Sequence, residues 1–226
     1  NFMGNLSNSK MQNNKIIKFF WYIGKAVRVR QWIKNFALYA GIIFSGQLVN
    51  PQSFLTVTQA FFLFCAASSS IYLLNDVFDV ERDRLHPFKS KRPVASGALS
   101  ARFVVILALV LIILTLPLSY SVSPALFLGI LAYLILQLFY SAYLKSIILI
   151  DVMAIAAGFV LRVYAGVWVI DAHLNVWFLL AVTSFALFLA IGKRRSELTL
   201  LQGQASKHRE TLLHYPENLL DILTAM

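Results

Sequence analysis

Residues 102–120 read RFVVILALVLIILTLPLSY, and after Arg102 this stretch contains no charged side chain. A run of about 20 apolar residues is long enough to cross the hydrocarbon core of a bilayer as one helix. It belongs to a chain of 226 residues that is 59% hydrophobic and 13% charged, whereas soluble domains are about half apolar and a quarter charged. The sequence therefore predicts an integral membrane protein whose solvent is the bilayer.

Comparable apolar stretches recur along the chain and predict an all-α, polytopic transmembrane helix bundle. The six predicted spans are 33–49, 53–75, 102–120, 124–143, 147–170 and 176–192. The first is the weakest, because its apolar part is short and basic residues stand at its start. Turn-forming residues at 50–51, 121–124 and 171–175 mark three of the breaks between spans.

Basic residues indicate the orientation of the chain, because cytoplasmic loops of membrane proteins collect Lys and Arg. Of the 20 Lys and Arg residues, 19 fall on one side if the six spans alternate, and Arg162 lies inside the fifth span. This pattern predicts a multi-pass protein of the inner (plasma) membrane with a cytoplasmic N-terminus. The basic excess is an orientation signal first, and no nucleic-acid partner is expected. Residues 1–27, which are polar through Asn14, are interpreted as a cytoplasmic N-terminal tail.

An acidic motif follows the second predicted span, Asn75-Asp-Val-Phe-Asp-Val-Glu-Arg-Asp83. In a continuous helix Asp76, Asp79 and Asp83 share one face, since they are spaced i, i+3 and i+7. Three such carboxylates repel one another unless a cation lies between them, and oxygen ligands of this kind suit Mg²⁺, which also takes oxygens from substrate phosphates. The motif predicts a Mg²⁺ and diphosphate site, with these three residues as metal ligands and catalytic groups.

Positive side chains follow the acidic motif directly. Lys89, Lys91 and Arg92 supply fixed charge for phosphate oxygens, and Arg can hold two oxygens at once. The alternative is a solvated helix end whose acids pair with Arg82 and Arg84. Acidic residues at a membrane boundary beside a basic loop favour a functional site over that alternative.

A second group of polar residues lies in the fourth and fifth predicted spans and the loop between them: Tyr140, Lys145, Asp151 and Arg162. Asp151 and Arg162 are eleven positions apart, so they return to nearly the same helix face about 16 Å apart. An intramembrane Arg is costly and should face the bundle interior or a bound anion. The alternative for Arg162 is a salt bridge to an acid on another helix.

Two further features have more ordinary interpretations. The basic run Lys193-Arg-Arg-Ser-Glu197 after the sixth span is at least as well explained by anchoring at lipid headgroups as by a substrate role. Gly158 and Gly166 are expected to let neighbouring helices pack closely.

With these residues placed, the chain resembles the UbiA-type intramembrane prenyltransferases, whose mark is an Asn-Asp-x-x-Asp-x-x-x-Asp motif after the second helix. Most of that superfamily carries a second Asp-rich motif for another Mg²⁺, but this chain offers only Asp151 there. Its other motifs are similar to those of the polyprenyl-phosphate (decaprenyl-phosphate) phosphoribosyltransferase branch. They are Arg28-Val-Arg-Gln-Trp-Ile-Lys-Asn35, Tyr140-Ser-Ala-Tyr-Leu-Lys145, Gly158-Phe-Val-Leu-Arg162 and Lys193-Arg-Arg-Ser-Glu197. One departure is Val29, where related sequences commonly have Pro.

The resemblance implies a bundle of nine transmembrane helices, of which this chain would carry about six. Residues 28–226 would then form a UbiA-like catalytic domain that is incomplete at its C-terminus. The closing stretch Leu212–Met226 fits this expectation, because it looks like a loop leading to a further helix.

The function implied is Mg²⁺-dependent transfer of 5-phosphoribose from phosphoribosyl diphosphate to a polyprenyl phosphate, with release of diphosphate at the cytoplasmic face. The alternatives are a prenyltransferase that moves a prenyl group from its diphosphate to an aromatic or other small acceptor, and, more remotely, a transporter. A homo-oligomer is possible. The expected substrate-binding residues are Arg30, Lys34, Asn75, Lys89, Lys91, Arg92 and Tyr140, and Lys145, Asp151 and Arg162 join the three aspartates as catalytic candidates.

Overall fold

The computed structural model of the chain describes residues 16–144, 147, 149–173 and 175–200, with the backbone alone for 197–200. Within these residues every regular element is helical, which confirms the all-α prediction. The α-helices are α1 (16–26), α2 (Tyr39–Phe44), α3 (Pro51–Phe78), α4 (Val80–Leu85), α5 (Ala101–Val122), α6 (Pro124–Ala142), α7 (Ile150–Trp168) and α8 (Val176–Leu200). Two 3₁₀ helices span Val29–Leu38 and Lys89–Lys91.

Five of the described helices are long and apolar enough to cross a membrane, namely α3, α5, α6, α7 and α8. The first predicted span, 33–49, does not form a single helix of spanning length. Its 3₁₀ helix ends at Leu38 and α2 has six residues. The reason is local, because Gly46 adopts a left-handed conformation (φ 73°) just past the end of α2, and such a residue terminates a helix.

Three of the membrane helices begin at the breaks that the turn-forming residues predicted. The Asn50 side chain accepts hydrogen bonds from the backbone N–H groups of Gln52 (3.0 Å) and Ser53 (3.3 Å) at the start of α3. Ser123 caps α6 in the same way, with Pro124 next to it, and Asn175 caps α8. These caps satisfy backbone N–H groups that have no partner inside the helix.

The chain divides into two compact units, each continuous in space but not in sequence. The first takes in Asn1–Ile33 and Cys65–Thr115. Its apolar core joins α1, the second part of α3, the 93–100 loop and the first part of α5, through Ala26, Leu73, Val94, Leu99 and Val104. The predicted tail 1–27 therefore includes a helix, α1, that packs onto this core.

The second unit takes in Lys34–Phe64 and Leu116–Met226. Helix α7 is central to it, because α7 packs against α2, α6 and α8. Three alanines lie in the buried α7–α8 contact, where Val152 and Ala156 of α7 meet Ala186, Ala190 and Ile191 of α8. Small side chains let membrane helices approach closely, since association in lipid depends on van der Waals packing.

Gly166 marks the closest approach within this unit. A Cβ atom at Gly166 would overlap the backbone oxygen of Leu38, and one at Gly41 would lie 2.7 Å from the Val167 side chain. The backbone of α7 and the segment that ends in α2 therefore touch with no room for a methyl group. The predicted packing role of Gly166 agrees with this contact.

Replacing Gly166 by Ala should destabilise the protein by at least about 1–3 kcal/mol, because a backbone atom blocks the new methyl group and has to move. Gly192→Ala in α8 is the matched control. Nothing lies within 4 Å of a Cβ at Gly192, so this change should stabilise the helix by about 0.5–1 kcal/mol. Thermal unfolding of the two variants in detergent should shift in opposite directions, and equal shifts would contradict the packing argument.

Candidate functional site

The acidic motif lies at the junction of α3 and α4 in the first unit. Asp79 lies between the two helices. Its backbone N–H still donates to the backbone oxygen of Asn75 (2.9 Å), and the backbone N–H of Asp83 donates to the backbone oxygen of Asp79 (2.8 Å). Because this bonding continues the helical pattern, Asp76 and Asp83 stay on one side of the chain. They are 2% and 3% exposed, whereas Asp79 is half-buried.

One arginine joins the two buried carboxylates. The Nη1 group of Arg92 donates to Oδ1 of Asp76 at 3.1 Å and to Oδ2 of Asp83 at 2.6 Å. Charge-assisted bonds of this length are strong, because the charges lie away from bulk water. The two acids thus pair with Arg92 across the loop, whereas the exposed Arg84 pairs with Glu81 (3.0 Å).

Arg28 is a second partner of Asp76 that the sequence pattern did not place in the site. Its Nη2 group forms an ion pair with Oδ1 of Asp76, and its guanidinium carbon lies 4.9 Å from the centre of the Tyr72 ring. Arg28 has a positive φ of 55°, a left-handed conformation that costs a non-glycine residue about 1–2 kcal/mol. Backbone strain of this kind collects at functional sites. The sequence feature that could have identified Arg28 as a site residue is its position as the first residue of the 28–35 motif.

The remaining predicted residues of this region are less buried than Asp76 and Asp83. Lys89 and Lys91 are exposed on the short 3₁₀ helix, and Arg30 is exposed as well. Asn75 is half-buried at the end of α3. Lys34 is exposed but belongs to the second unit.

The two buried carboxylates fit a Mg²⁺ ion that shares its ligands with a substrate. In the described residues no three His, Cys, Asp or Glu side chains come together as a ready-made metal site. Mg²⁺ in phosphoryl-type sites is usually bound by one or two carboxylates plus phosphate oxygens and water. A single guanidinium nitrogen already contacts Asp76 and Asp83 together, so one cationic centre can be shared between them.

Arg162 lies in the second unit, on α7, and is buried with 6% exposure. Its Nε donates to Oδ1 of Asn35 (2.7 Å), its Nη1 to the Gly158 carbonyl (2.5 Å) and its Nη2 to the Tyr133 hydroxyl (2.8 Å). These partners are neutral. Among the described residues, Arg162 therefore does not form the salt bridge that was its alternative explanation.

Asp151, also on α7, is held in a network of its own. It is completely buried and forms an ion pair with Arg194 of α8, which is also completely buried. The Tyr140 hydroxyl donates to Oδ1 of Asp151 (2.9 Å), and Nη2 of Arg194 donates to the same oxygen (2.7 Å) and to Tyr140 (3.0 Å). Asp151, Tyr140 and Arg194 therefore tie together the ends of α6, α7 and α8.

Sequence reasoning missed the role of Arg194. The run 193–197 is explained by an anchor at lipid headgroups at least as well as by a substrate role. Lys193 and Arg195 are exposed, but Arg194 is buried. The signal that could have found it is Asp151, because a lone acid in an apolar helix needs a basic partner. Lys145 and the side chain of Glu197 lie outside the described residues.

The fold and its charged sites define a class of protein, a multi-pass membrane protein with an acidic motif at the end of a membrane helix. Residues 35–198 match the UbiA prenyltransferase family, and the chain belongs to that family. It is similar to a solved UbiA homolog from Archaeoglobus fulgidus bound to DMAPP and Mg2+. The two share 22% identity and a TM-score of 0.73, over 90% of this chain and 74% of the other.

Curated relatives include enzymes named decaprenyl-phosphate phosphoribosyltransferase. The one from Corynebacterium glutamicum is 36% identical over 208 residues, which cover 89% of this chain and 62% of the relative. The one from Mycolicibacterium smegmatis is 38% identical over 204 residues, which cover 87% of this chain and 63% of the relative. The chain thus spans somewhat less than two thirds of the length of these relatives.

Breaking the buried Asp151–Arg194 pair should be costly. Asp151→Asn should destabilise the protein by about 3–5 kcal/mol, because it removes the negative charge that faces the buried Arg194 guanidinium. The double variant Asp151→Leu with Arg194→Met should recover most of that loss, since apolar side chains of similar size often replace a buried pair without penalty. Thermal unfolding in detergent measures both, and a double variant no more stable than Asp151→Asn would contradict the ion-pair assignment.

Proposed function

We propose that the protein transfers 5-phosphoribose from phosphoribosyl diphosphate to a polyprenyl phosphate, with release of diphosphate. The observation that carries the proposal is the pair of buried carboxylates, Asp76 and Asp83, that share one cationic partner at the end of a membrane helix. The relatives named decaprenyl-phosphate phosphoribosyltransferase support the choice of donor and acceptor. The reaction would then make this chain part of a pentosyltransferase.

The acidic motif would hold the diphosphate end of the donor. Asp76 and Asp83, with Asp79 beside them, would bind Mg²⁺, and Asn75 would line the same site. When bound, Mg²⁺ supplies positive charge that stabilises the diphosphate as a leaving group. Arg92 and Arg28 already contact the carboxylates, so both guanidinium groups are placed to exchange carboxylate oxygens for phosphate oxygens when the donor arrives.

Exposed basic side chains would guide the phosphorylated donor. Lys89 and Lys91 are exposed and follow the motif directly, and with Arg92 they would bind the 5-phosphate of the sugar. Arg30 and Lys34, both exposed on the 3₁₀ helix Val29–Leu38, would add to the positive field near the membrane surface.

The chemical step requires little acid–base catalysis. The bond between C1 of the ribose and the diphosphate oxygen breaks, and a bond forms between C1 and an oxygen of the lipid phosphate. The acceptor is already an anion, so no residue has to remove a proton from it. The protein would act mainly by positioning the two substrates and by fixed charge, and electrostatic stabilisation of this kind supplies much of the rate enhancement in many enzymes.

Within the second unit, Tyr140, Lys145, Asp151 and Arg162 are the predicted catalytic and binding residues. The pairing of Asp151 with Arg194 favours a positioning role for Asp151 and Tyr140, because their polar atoms contact one another and Arg194. We retain Lys145 as a candidate for binding a substrate phosphate.

A second candidate function is transfer of a prenyl group from its diphosphate to a small acceptor. The solved UbiA homologs bound to DMAPP or GPP with Mg2+ favour it at the level of the fold. The second half of the sequence weighs against it, because it offers only Asp151 where most of that superfamily carries a second Asp-rich motif.

The proposed location is the inner (plasma) membrane with the N-terminus and the acidic motif on the cytoplasmic side. The distribution of Lys and Arg supports this orientation. Phosphoribosyl diphosphate is soluble and charged, so a cytoplasmic site would give it direct access. A homo-oligomer remains a prediction.

Asp76→Asn should abolish phosphoribosyl transfer in membranes, because the amide removes one negative charge from the carboxylate pair while keeping its shape. Asp171→Asn is the matched control, since Asp171 is exposed in the loop before α8 and Asn tolerates its left-handed conformation. Product formation from labelled phosphoribosyl diphosphate measures both variants. Turnover by Asp76→Asn at the level of the control would refute the metal-site assignment.

The two candidate functions use different donors, so an assay with each labelled donor distinguishes them. Membranes that contain the protein should transfer label from phosphoribosyl diphosphate to polyprenyl phosphate, and should not transfer label from a prenyl diphosphate to an aromatic acid. Membranes carrying Asp76→Asn provide the background. The reverse pattern would establish the prenyltransferase and overturn the phosphoribosyl proposal.

A further inference from the structure

Arg162 differs from the other inward-facing arginines in the charge of its partners. Arg28, Arg92 and Arg194 each form an ion pair with an aspartate. The partners of Arg162 are the Asn35 amide, the Gly158 carbonyl and the Tyr133 hydroxyl, all neutral. Its guanidinium carbon also lies 4.5 Å from the centre of the Tyr133 ring. In the described part of the chain, Arg162 is thus a buried cation without a carboxylate counter-ion.

Such an arrangement is expensive unless an anion completes it. Removing a charged group from water costs several kcal/mol even after relaxation, and neutral hydrogen bonds offset only part of that cost. Arg162 is only 6% exposed, so bulk water supplies little of the missing solvation. A neutral side chain such as Gln could make similar hydrogen bonds at lower cost.

The guanidinium also retains hydrogen-bonding capacity. It has five N–H donors, and three hydrogen bonds engage Nε, Nη1 and Nη2 once each. One N–H therefore remains on each terminal nitrogen, and a guanidinium can bind two phosphate oxygens through two such N–H groups. A Cβ atom at Gly158 would lie 3.1 Å from Nε2 of Gln137 and 3.7 Å from Nη1 of Arg162. The bare Gly158 backbone thus lies beside a further amide as well as the guanidinium.

We propose that Arg162 is the centre of a phosphate-monoester subsite in the second unit, with Tyr133 and Gln137 as its polar neighbours. The inference rests on the proposed function, because both proposed substrates carry such a group. One is the phosphate of the lipid acceptor. The other is the 5-phosphate of the donor, and if Arg162 binds it, Lys89, Lys91 and Arg92 would serve the diphosphate instead. The acidic motif would then serve the diphosphate, and Arg162 would serve a monoester.

The first test measures binding without any transfer reaction. The full chain in detergent is heated with farnesyl phosphate, ribose 5-phosphate, inorganic phosphate or the uncharged farnesol. At least one of the two esters should raise the Tm of the wild type, and Arg162→Gln should lose that response. The ester that acts identifies whether the lipid or the sugar phosphate occupies the subsite.

Two outcomes would overturn the proposal. One is an ester response that is equal in the wild type and in Arg162→Gln. The other is that neither ester raises the Tm of the wild type. If inorganic phosphate alone raises it, the site binds an adventitious ion only. Because no donor reaction is measured, these results stand apart from the labelled-donor assay, and either proposal can fail without the other.

A second variant keeps the test decisive if Arg162→Gln folds poorly. Asn35 is 1% exposed and its Oδ1 accepts from Nε of Arg162, so Asn35→Asp places a counter-ion of the same shape against the guanidinium. This variant should raise the Tm without ligand and weaken ester binding at least about tenfold, or about 1.4 kcal/mol. If Asn35→Asp leaves the ester affinity unchanged, Arg162 has only a structural role and the proposal fails.

Asn50→Asp is the matched control for that variant. It adds the same charge to the same unit, at the exposed N-cap of α3 where Asp caps as well as Asn. Its ester affinity should equal that of the wild type. A loss of affinity equal to that of Asn35→Asp would mean that net charge, and not the Arg162 contact, controls binding, and would overturn the proposal.

Discussion

A charge removed from water must be neutralised, and this constraint governs the polar interior of the protein. Asp76 and Asp83 are both almost fully buried and share the guanidinium of Arg92, while Arg28 holds Asp76 from another segment. The ion pairs fix the loop after α4 and the chain before the Val29–Leu38 helix onto the end of α3. The same constraint pairs Asp151 with Arg194 and so fastens α7 to α8. Each of these structural connections joins different segments of the chain.

Helix α7 combines packing and charge in one element. The small residues Gly166 and Ala156 let other elements lie directly against α7, whereas Asp151 and Arg162 place charge in the same helix. Small residues let the backbone come close, and close contact excludes water from the polar groups. The low local dielectric then strengthens each hydrogen bond and raises the cost of any charge without a counter-ion. Arg162 has only neutral protein partners among the described residues. The cost of burying its charge is the reason to expect an anionic ligand there.

Much of the architecture follows from short-range features of the sequence. The long apolar runs predicted the helices α3, α5, α6, α7 and α8, and the caps at Asn50, Ser123 and Asn175 set where three of them start. The predicted span at 33–49 does not form one helix of spanning length, because hydrophobicity alone does not reveal a 3₁₀ segment or a left-handed glycine after the short helix α2. The helical spacing of Asp76 and Asp83 also anticipated that they lie on one side. Pairing with Arg92, by contrast, depends on the path of a loop.

The sequence by itself determined that the chain lives in a membrane, where its main helices run, and that an acidic motif follows the second span. These properties depend on neighbours within a few residues, through hydrophobicity, helical period and capping. Only the tertiary structure decided the partners of each buried charge: Arg28 and Arg92 for Asp76, Arg194 for Asp151, and neutral groups for Arg162. Partner choice depends on which distant segments the packing brings within about 3 Å, and no local pattern contains that information.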